Sequence, residues 1–371
     1  MNCSYCFYLE KKALYPESAV HRMNDETLDV LIKQLMTQSG RDIGITWQGG
    51  EPTLMGLDFF KKVIELELKH AGGMVKNITN SLQTNGSLLN EEWVDFLAQY
   101  NFLVGLSLDG TEIIHNANRK LGKDQPSFSR VKASLELLQH KGVAFNVLAT
   151  VNSVSVDHPE EIYHYFKSLG VQWMQFIPIL EKDSENPSIP TEFSVDPMKY
   201  GAFLVEIFRL WIRDFSTMPD PPSVRFIENI FHRYLGYASP ECTYNRECGK
   251  YVVIEHNGDV FSCDYFVDPV HRLGNIHERR LADMLNSAQQ ADFGTMKSVL
   301  TPECGECQWL TYCHGGCTKD RFTSPGHDHY HFCASMKVFH SATHEAFEAL
   351  AAHFKQHHAQ EGTRDLSGYF K

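Results

Sequence analysis

The sequence predicts an α/β protein in which βα units build a parallel sheet, followed by a cysteine-rich region short of long helices. Three observations carry this. Strand-like and helix-like segments alternate through the first two-thirds of the 371 residues, Asn and Gly mark their ends, and eight of the ten cysteines crowd between Cys242 and Cys333. Strands alternating with helices imply parallel pairing, in an open sheet or one curled into a barrel.

Asn24 predicts an N-cap, with Leu28, Leu31, Ile32, Leu35 and Met36 following at helical spacing and Gly40 as the stop. A strand follows over 43–47, then a helix carrying Leu57, Phe60, Ile64 and Leu68, and a strand over 78–84. Asn90 predicts the cap of a helix with Trp93 and Leu97, and 102–108 is the next strand. Val131, Leu135 and Leu138 mark a helix closed by Gly142, ahead of a strand over 143–151. The last unit is a helix over 159–169, Gly170, and a strand over 171–179. No strand precedes the first helix, because the chain opens directly in Cys3-Ser4-Tyr5-Cys6.

Beyond residue 190 the character changes. Prolines flank a helix with Phe203, Ile207, Leu210 and Trp211, which reads as a connector. Segments 251–255 and 260–263, joined through His256-Asn257-Gly258-Asp259, predict a hairpin, since Asn-Gly suits a type I′ turn. A final helix over 334–356 offers Met336, Phe339, Phe347 and Leu350 for packing. The expected segments are therefore 1–190 for the α/β part, 191–241 for the connector, 242–335 for the cysteine-rich domain and 336–371 for the terminal helix and tail.

Composition narrows the function. Hydrophobic residues make up 43% and charged residues 22%, ordinary for a soluble enzyme with a real core. Lys plus Arg is 34 against 46 Asp plus Glu, and the formal charge of −12 argues against general nucleic-acid binding and against a polybasic membrane surface. No run of about 18 apolar residues is present to span a bilayer. The start has neither a basic n-region nor an apolar h-region, so the expected location is cytoplasmic.

The cysteines point to metal. Clustered CxxC spacings in a cytosolic chain read as ligation rather than disulfides. Cys304-x2-Cys307-x5-Cys313-x3-Cys317 is followed by Cys333 and preceded by Cys242, Cys248 and Cys263. Eight thiols make two sets of four, the ligand demand of two cubane iron–sulfur clusters. A four-cysteine zinc ribbon is the alternative for Cys304-x2-Cys307. Near the start, Cys3-x2-Cys6 is joined by Gly49-Gly50-Glu51-Pro52 after a predicted strand, and Gln83-Thr84-Asn85-Gly86 and Ser107-Leu108-Asp109-Gly110 end two more. Ligands of parallel sheets and barrels bind at strand C-termini, although Asn-Gly and Asp-Gly also form plain turns there. His327-Asp328-His329-Tyr330-His331 reads as a solvated polar loop rather than a metal site.

Cys3-x2-Cys6 with Phe7-Tyr8 resembles the latter part of the Cx3CxxC loop of the radical SAM superfamily, and Gly49-Gly50-Glu51-Pro52 resembles its GGEP loop. Cys248-x9-Gly258-x4-Cys263, the Cys304 to Cys317 run and Cys333 reproduce the seven-cysteine pattern of a SPASM domain, with Cys242 as the eighth thiol. Within that superfamily the chain is similar to anaerobic sulfatase-maturating enzymes, through Cys6-Phe7-Tyr8-Leu9-Glu10, Trp47-Gln48-Gly49-Gly50-Glu51-Pro52-Thr53-Leu54, Gln175-Phe176-Ile177-Pro178 and Cys263-Asp264-Tyr265.

The resemblance implies a partial (β/α)6 radical SAM barrel and a C-terminal domain with a β-hairpin and two auxiliary [4Fe–4S] clusters. It implies that Cys3 and Cys6 ligate the SAM-binding [4Fe–4S] cluster, that Cys242, Cys248, Cys263 and Cys317 hold the first auxiliary cluster, and that Cys304, Cys307, Cys313 and Cys333 hold the second. Ser107 and Leu180 match positions that touch S-adenosylmethionine, Gln48 and Tyr8 line the same pocket with Gly49, Gly50 and Glu51, and Arg130 could pair with the cofactor's carboxylate. Asp264 matches the general base; the bland alternative is a solvated carboxylate at a hairpin end. The implied reaction removes hydrogen from Cβ of a cysteine or serine in a sulfatase polypeptide, in a Cys/Ser-x-Pro-x-Arg type motif, yielding Cα-formylglycine. A donor such as flavodoxin or ferredoxin would supply electrons.

One departure stands out. The family's first cysteine lies four residues before the position of Cys3, upstream of Met1, and the first strand is missing at the same place. The expectation is that an upstream segment belongs to the functional protein, and that without it the SAM cluster assembles poorly. Two rivals remain at this stage: a SPASM enzyme that crosslinks a ribosomal peptide, and a zinc-stabilised binding protein without activity.

Overall fold

The computed structural model describes residues 1–6, 8, 14–16, 21–73, 76–122, 124–183, 186, 188–324 and 327–361; Phe7, Leu9 and Glu10 of the quoted motif lie outside them. In chain order the first elements are β1 (Asn2–Cys3), α1 (Asp25–Gln38), β2 (Asp42–Trp47), α2 (Leu57–Ala71), β3 (Asn77–Thr84), α3 (Glu91–Gln99) and β4 (Leu103–Ser107). Next come α4 (Glu112–Asn118), β5 (Arg119–Leu121), β6 (Gln125–Pro126), α5 (Phe128–His140), β7 (Phe145–Val151), α6 (Pro159–Ser168) and β8 (Trp173–Pro178). Then follow α7 (Pro197–Thr217), β9 (Ser223–Val224), α8 (Arg225–Leu235), β10 (Val253–Ile254), β11 (Asp259–Phe261) and β12 (Arg272–Asn275). The chain continues with α9 (Leu281–Leu285), α10 (Ala288–Met296), α11 (Pro302–Gly305), α12 (Leu310–Cys313), β13 (Arg321–Ser324), β14 (His327–Tyr330) and α13 (Cys333–Glu361). No described helix is long and apolar enough to cross a membrane.

The main sheet runs β2-β3-β4-β7-β8-β9. Its sixth strand was not expected: β9 pairs in parallel with β8 through Trp173↔Ser223 and Met174↔Val224. Nor was β1, which joins a separate small antiparallel sheet with β5 and β6. The chain divides into two compact units, one of Met1–Leu108, Asn118–Val147 and Gly249–Met296, the other of Asp109–Ala117, Leu148–Cys248 and Lys297–Lys371.

In the first unit the predicted caps form. Asn24 accepts from the Thr27 N–H and Asn90 from the Trp93 N–H, each satisfying a backbone donor that a helix start leaves open. The stripe on α1 is wide enough to bury two faces. Leu28, Ile32 and Met36 pack with Ile43, Ile45, Val63 and Leu66, while Leu31 packs with Val260, Leu273 and Met284 beneath the hairpin. Gln34 and Gln38 of α1 then accept from the Leu281 and Ala282 N–H groups, capping α9 from outside. On α2, Leu68 is 73% exposed and Glu67 takes the inner place. At 3.6 residues per turn, position 67 lies nearly beneath Phe60 whereas position 68 lies about 80° away. The Glu67 carboxylate accepts from Asn80 at 3.0 Å, and Asn80 accepts from the Trp47 indole at 2.8 Å.

The hairpin is shorter than expected and gains a third strand, β12, on β11. Its turn is not type I′. Gly258 has φ +87° but Asn257 is not among the positive-φ residues, and the Gly258 N–H closes onto the Glu255 carbonyl at 2.9 Å. Asn257 is instead engaged by its side chain, which accepts from the Asp259 N–H and donates to the Asp259 carboxylate.

In the second unit α13 packs along α7, where Gly201 lets the Ser335 backbone approach so closely that a Cβ would stand 3.0 Å from its Cα. Phe208, Phe226, Phe339 and Phe347 fill the space around this contact. Asp214 is buried there with two donors, the Tyr163 hydroxyl at 3.0 Å and the Lys167 ammonium, and they hold its carboxyl below the usual range against the effect of burial.

Candidate active site

The parallel strands β2, β3 and β4 place their C-terminal ends at one edge, and the predicted motifs leave from that edge. Gly49 has φ +140°, and neither it nor Gly50 has an atom within 4 Å of where a Cβ would stand. The strip of backbone after Trp47 is thus open to a ligand. Glu51 is occupied locally. Its Oε1 accepts from the Thr53 N–H and hydroxyl and from the Thr84 hydroxyl at 2.7 Å, and its Oε2 accepts from the Asn85 N–H at 2.8 Å. It ties the β2 loop to the β3 loop. Gln83 donates to the Ser107 hydroxyl at 3.2 Å, so these two strand ends are joined as well.

Asp264 comes to this edge from the hairpin. It sits in a turn closed by the Phe266 N–H on the Cys263 carbonyl, and its Oδ2 accepts from the Gln48 amide at 3.2 Å. Its Oδ1 accepts from the Tyr251 hydroxyl at 2.9 Å, and that hydroxyl also lies 3.4 Å from the Cys263 sulfur. Gln290, buried on α10, donates to the carbonyls of Gly249, Tyr251 and Ser262, fixing the backbone on both sides of this pair. Loss of water and the nearby Asp264 charge push the Cys263 thiol up to about 12. The same burial, with Asp264 and Glu255 nearby, pushes the Tyr8 phenol well above its usual value. A metal that takes the Cys263 sulfur must displace a firmly held proton.

Cys3 lies on β1, paired with Arg119, and the Cys6 N–H donates to the Cys3 carbonyl at 3.2 Å. Tyr5 is buried with the Arg119 guanidinium 5.6 Å above its ring, which anchors the short loop between the two thiols. Arg130 is exposed on the first turn of α5. Asp109 follows the bland reading: it is fully buried, with Oδ1 accepting from the Thr150 N–H at 2.9 Å.

In the second unit Cys304, Cys307, Cys313 and Cys333 line one pocket, together with Trp309 and His329. Among the described residues no three His, Cys, Asp or Glu side chains are placed to hold a single metal ion. Four thiols standing around a cavity suit a cubane, which offers a separate iron to each sulfur. Cys242, Cys248 and Cys317 all lie in the field of the buried Lys297. Leu180 is buried and its carbonyl accepts from the Lys319 ammonium. Sequence reasoning missed Tyr251 and Lys297. Tyr251 reads as one more strand aromatic and Lys297 as a surface lysine; His329 is exposed as expected, although its segment forms β14 rather than a loop.

Residues 1–166 match the radical SAM superfamily and residues 242–308 match the SPASM iron–sulfur cluster-binding domain. The serine-type anaerobic sulfatase-maturating enzyme of Bacteroides thetaiotaomicron is 38% identical over 337 residues, covering 86% of this chain and 80% of that one. The chain belongs to the anaerobic sulfatase-maturating enzymes. The cysteine-type enzyme of Clostridium perfringens is 34% identical over 341 residues, 91% of each chain. The solved structure of native anSMEcpe with bound AdoMet and Kp18Cys peptide is similar at a TM-score of 0.87 and 33% identity, covering 95% of this chain and 96% of that one. Streptococcus suis SuiB bound to precursor peptide SuiA shares the fold alone, at a TM-score of 0.59 and 17% identity over 90% of this chain and 72% of that one. This maturase is a radical SAM enzyme whose cofactors are S-adenosylmethionine and iron–sulfur clusters.

Proposed function

We propose that this maturase oxidises Cβ of a cysteine or serine in a sulfatase polypeptide to the aldehyde of Cα-formylglycine, with Asp264 as the base. One observation carries the assignment: the bond from Gln48 holds the Asp264 carboxylate at the C-terminal edge of the parallel strands, beside the open Gly49-Gly50 backbone. When bound, S-adenosylmethionine on the cluster proposed for Cys3 and Cys6 would supply the radical chemistry that removes a Cβ hydrogen atom, and an auxiliary cluster would supply the acceptor for the electron left behind. Asp264 takes the thiol or hydroxyl proton, so one hydrogen atom, one proton and one electron leave and a C=S or C=O double bond forms. Water then converts a thioaldehyde to the aldehyde with release of sulfide. Gly49 and Gly50 give the cofactor access to backbone, Gln48 orients the base, and Ser107 and Tyr8 belong to the same pocket; Leu180 is kept as a cofactor contact on the family resemblance alone. Arg130 is kept as a candidate partner for the cofactor's carboxylate.

Cys3 and Cys6 are proposed for the SAM cluster; the shared pocket supports Cys304, Cys307, Cys313 and Cys333 for the second auxiliary cluster. Flavodoxin or ferredoxin is the proposed class of electron donor. The test uses protein expressed with any in-frame codons upstream of Met1, reconstituted anaerobically, with S-adenosylmethionine, reductant and a Cys-x-Pro-x-Arg peptide. Mass spectrometry should show the thiol replaced by an aldehyde, with 5′-deoxyadenosine formed. Deoxyadenosine beside an unchanged peptide would reject sulfatase maturation in favour of peptide crosslinking.

Tyr251 is a positioning residue for the base. Tyr251→Phe removes the 2.9 Å bond to Asp264 and leaves the one from Gln48. A hydrogen bond to a charged group contributes about 1.5–3 kcal/mol. The expected result is a kcat lower by about tenfold or more with KM unchanged. A higher KM at constant kcat would show instead that the hydroxyl contacts the substrate.

A further inference from the structure

Lys297 is 1% exposed and Arg321 6% exposed, which is unusual for residues that normally carry their charge to water. The Lys297 ammonium donates to the carbonyls of Asn245 and His314. Arg321 donates to the carbonyls of Lys297 at 2.8 Å, Val299 at 2.9 Å and Gly315 at 3.2 Å. Every hydrogen bond shown for the two cations ends on a backbone carbonyl, and none on a carboxylate. Asn245 stands three residues from both Cys242 and Cys248, and His314 three residues before Cys317, so the ammonium is fastened to the two loops that carry these thiols, while Arg321 adds like charge. A buried cation needs a compensating anion.

These are three of the four thiols that the family resemblance assigns to the first auxiliary cluster, and the inference rests on that reading. A cubane with four thiolates carries a net charge of about −2 when oxidised and about −3 when reduced. A fixed positive charge beside it stabilises the more negative state and raises the potential. We propose that Lys297, held by its ammonium on the backbone of the loops that carry Cys242, Cys248 and Cys317, is the buried counter-charge that sets the potential of their cluster and so its capacity to accept the substrate's electron. It acts through the cluster and touches no substrate.

The test is a redox titration of the reconstituted full chain followed by electron paramagnetic resonance, with iron and sulfide counted for each variant. In Lys297→Gln one auxiliary signal should move to more negative potential, by about tenfold in the reduced-to-oxidised ratio at fixed ambient potential (about 59 mV for one electron). Lys297→Arg should bring it back. Should the Gln variant fail to hold iron, Lys297→Met, which fills the space without a polar head, is titrated in its place with the same expectation. Unmoved potentials at full iron content overturn the proposal. Cys242→Ala separates the two levels: if it loses one cluster while Lys297→Gln shifts nothing, the charge assignment alone is wrong. If Cys242→Ala changes neither iron nor spectra, the ligand reading beneath it is wrong as well.

Discussion

Asp264→Asn is expected to lower aldehyde formation by about 10²–10⁴-fold, the usual contribution of a positioned general base, with iron content unchanged. The substitution is nearly isosteric and the shell around it can adapt. The Tyr251 hydroxyl, now donating at 2.9 Å, finds the same oxygen on an Asn, and the Gln48 amide at 3.2 Å can rotate to present its oxygen to the new NH2 group. What is lost is the capacity to take a proton. Without a base the Cβ-centred radical keeps its S–H or O–H bond, and expelling an electron from it would leave a cation with no neutral outlet. Deoxyadenosine should therefore still form while product does not, so the ratio of the two measured in one anaerobic turnover separates a base from a cofactor ligand. Full product formation by the variant would refute the assignment. Loss of both together, with iron intact, would place Asp264 in cofactor binding instead.

The sequence made the first unit legible where local chemistry decides structure. Asn24 and Asn90 cap helices as their positions before apolar periodic runs require, and the strands at 43–47 and 78–84 are found within a residue of the expected bounds. Legibility ended where a partner distant in sequence decides. A two-residue strand such as Ser223–Val224 has no period to read, and its place beside β8 comes from tertiary pairing. The apolar spacing of α1 marked a helix, but nothing local to Leu31 says that its neighbours are Val260 and Leu273. The site divides in the same way. Gly49, Gly50 and Asp264 carry recognisable motifs. Tyr251 matters because Gln290 fixes its backbone beside the turn holding Asp264, and Lys297 because backbone carbonyls from two separate loops hold its ammonium. Neither environment exists until the chain has folded.

Gly316→Ala is expected to strip iron from the auxiliary sites and lower the melting temperature, although it adds a single methyl group to a loop. Between Cys313 and Cys317 the backbone turns left-handed at three consecutive residues, His314 at φ +46°, Gly315 at +71° and Gly316 at +64°. This tight turn separates a thiol that lines the shared pocket from one proposed for the other auxiliary cluster. A Cβ on Gly316 would stand 2.1 Å from ring carbons of Tyr330, which is itself buried and lines the same pocket. A buried ring cannot yield that distance by rotating its tip into water. An L-residue in the left-handed region costs about 1–2 kcal/mol, and forcing a methyl into a packed site about 1–3 more. The sum, roughly 2–5 kcal/mol, is a large share of a domain's stability. Gly305→Ala is the matching control: it lies between Cys304 and Cys307, has no positive φ, and has nothing within 4 Å of its would-be Cβ. Iron and sulfide counts with thermal denaturation of the two variants decide the matter. Retained iron and an unchanged melting temperature in Gly316→Ala would mean that the loop and Tyr330 move aside freely, and that the left-handed turn is not what holds the two cysteines in place.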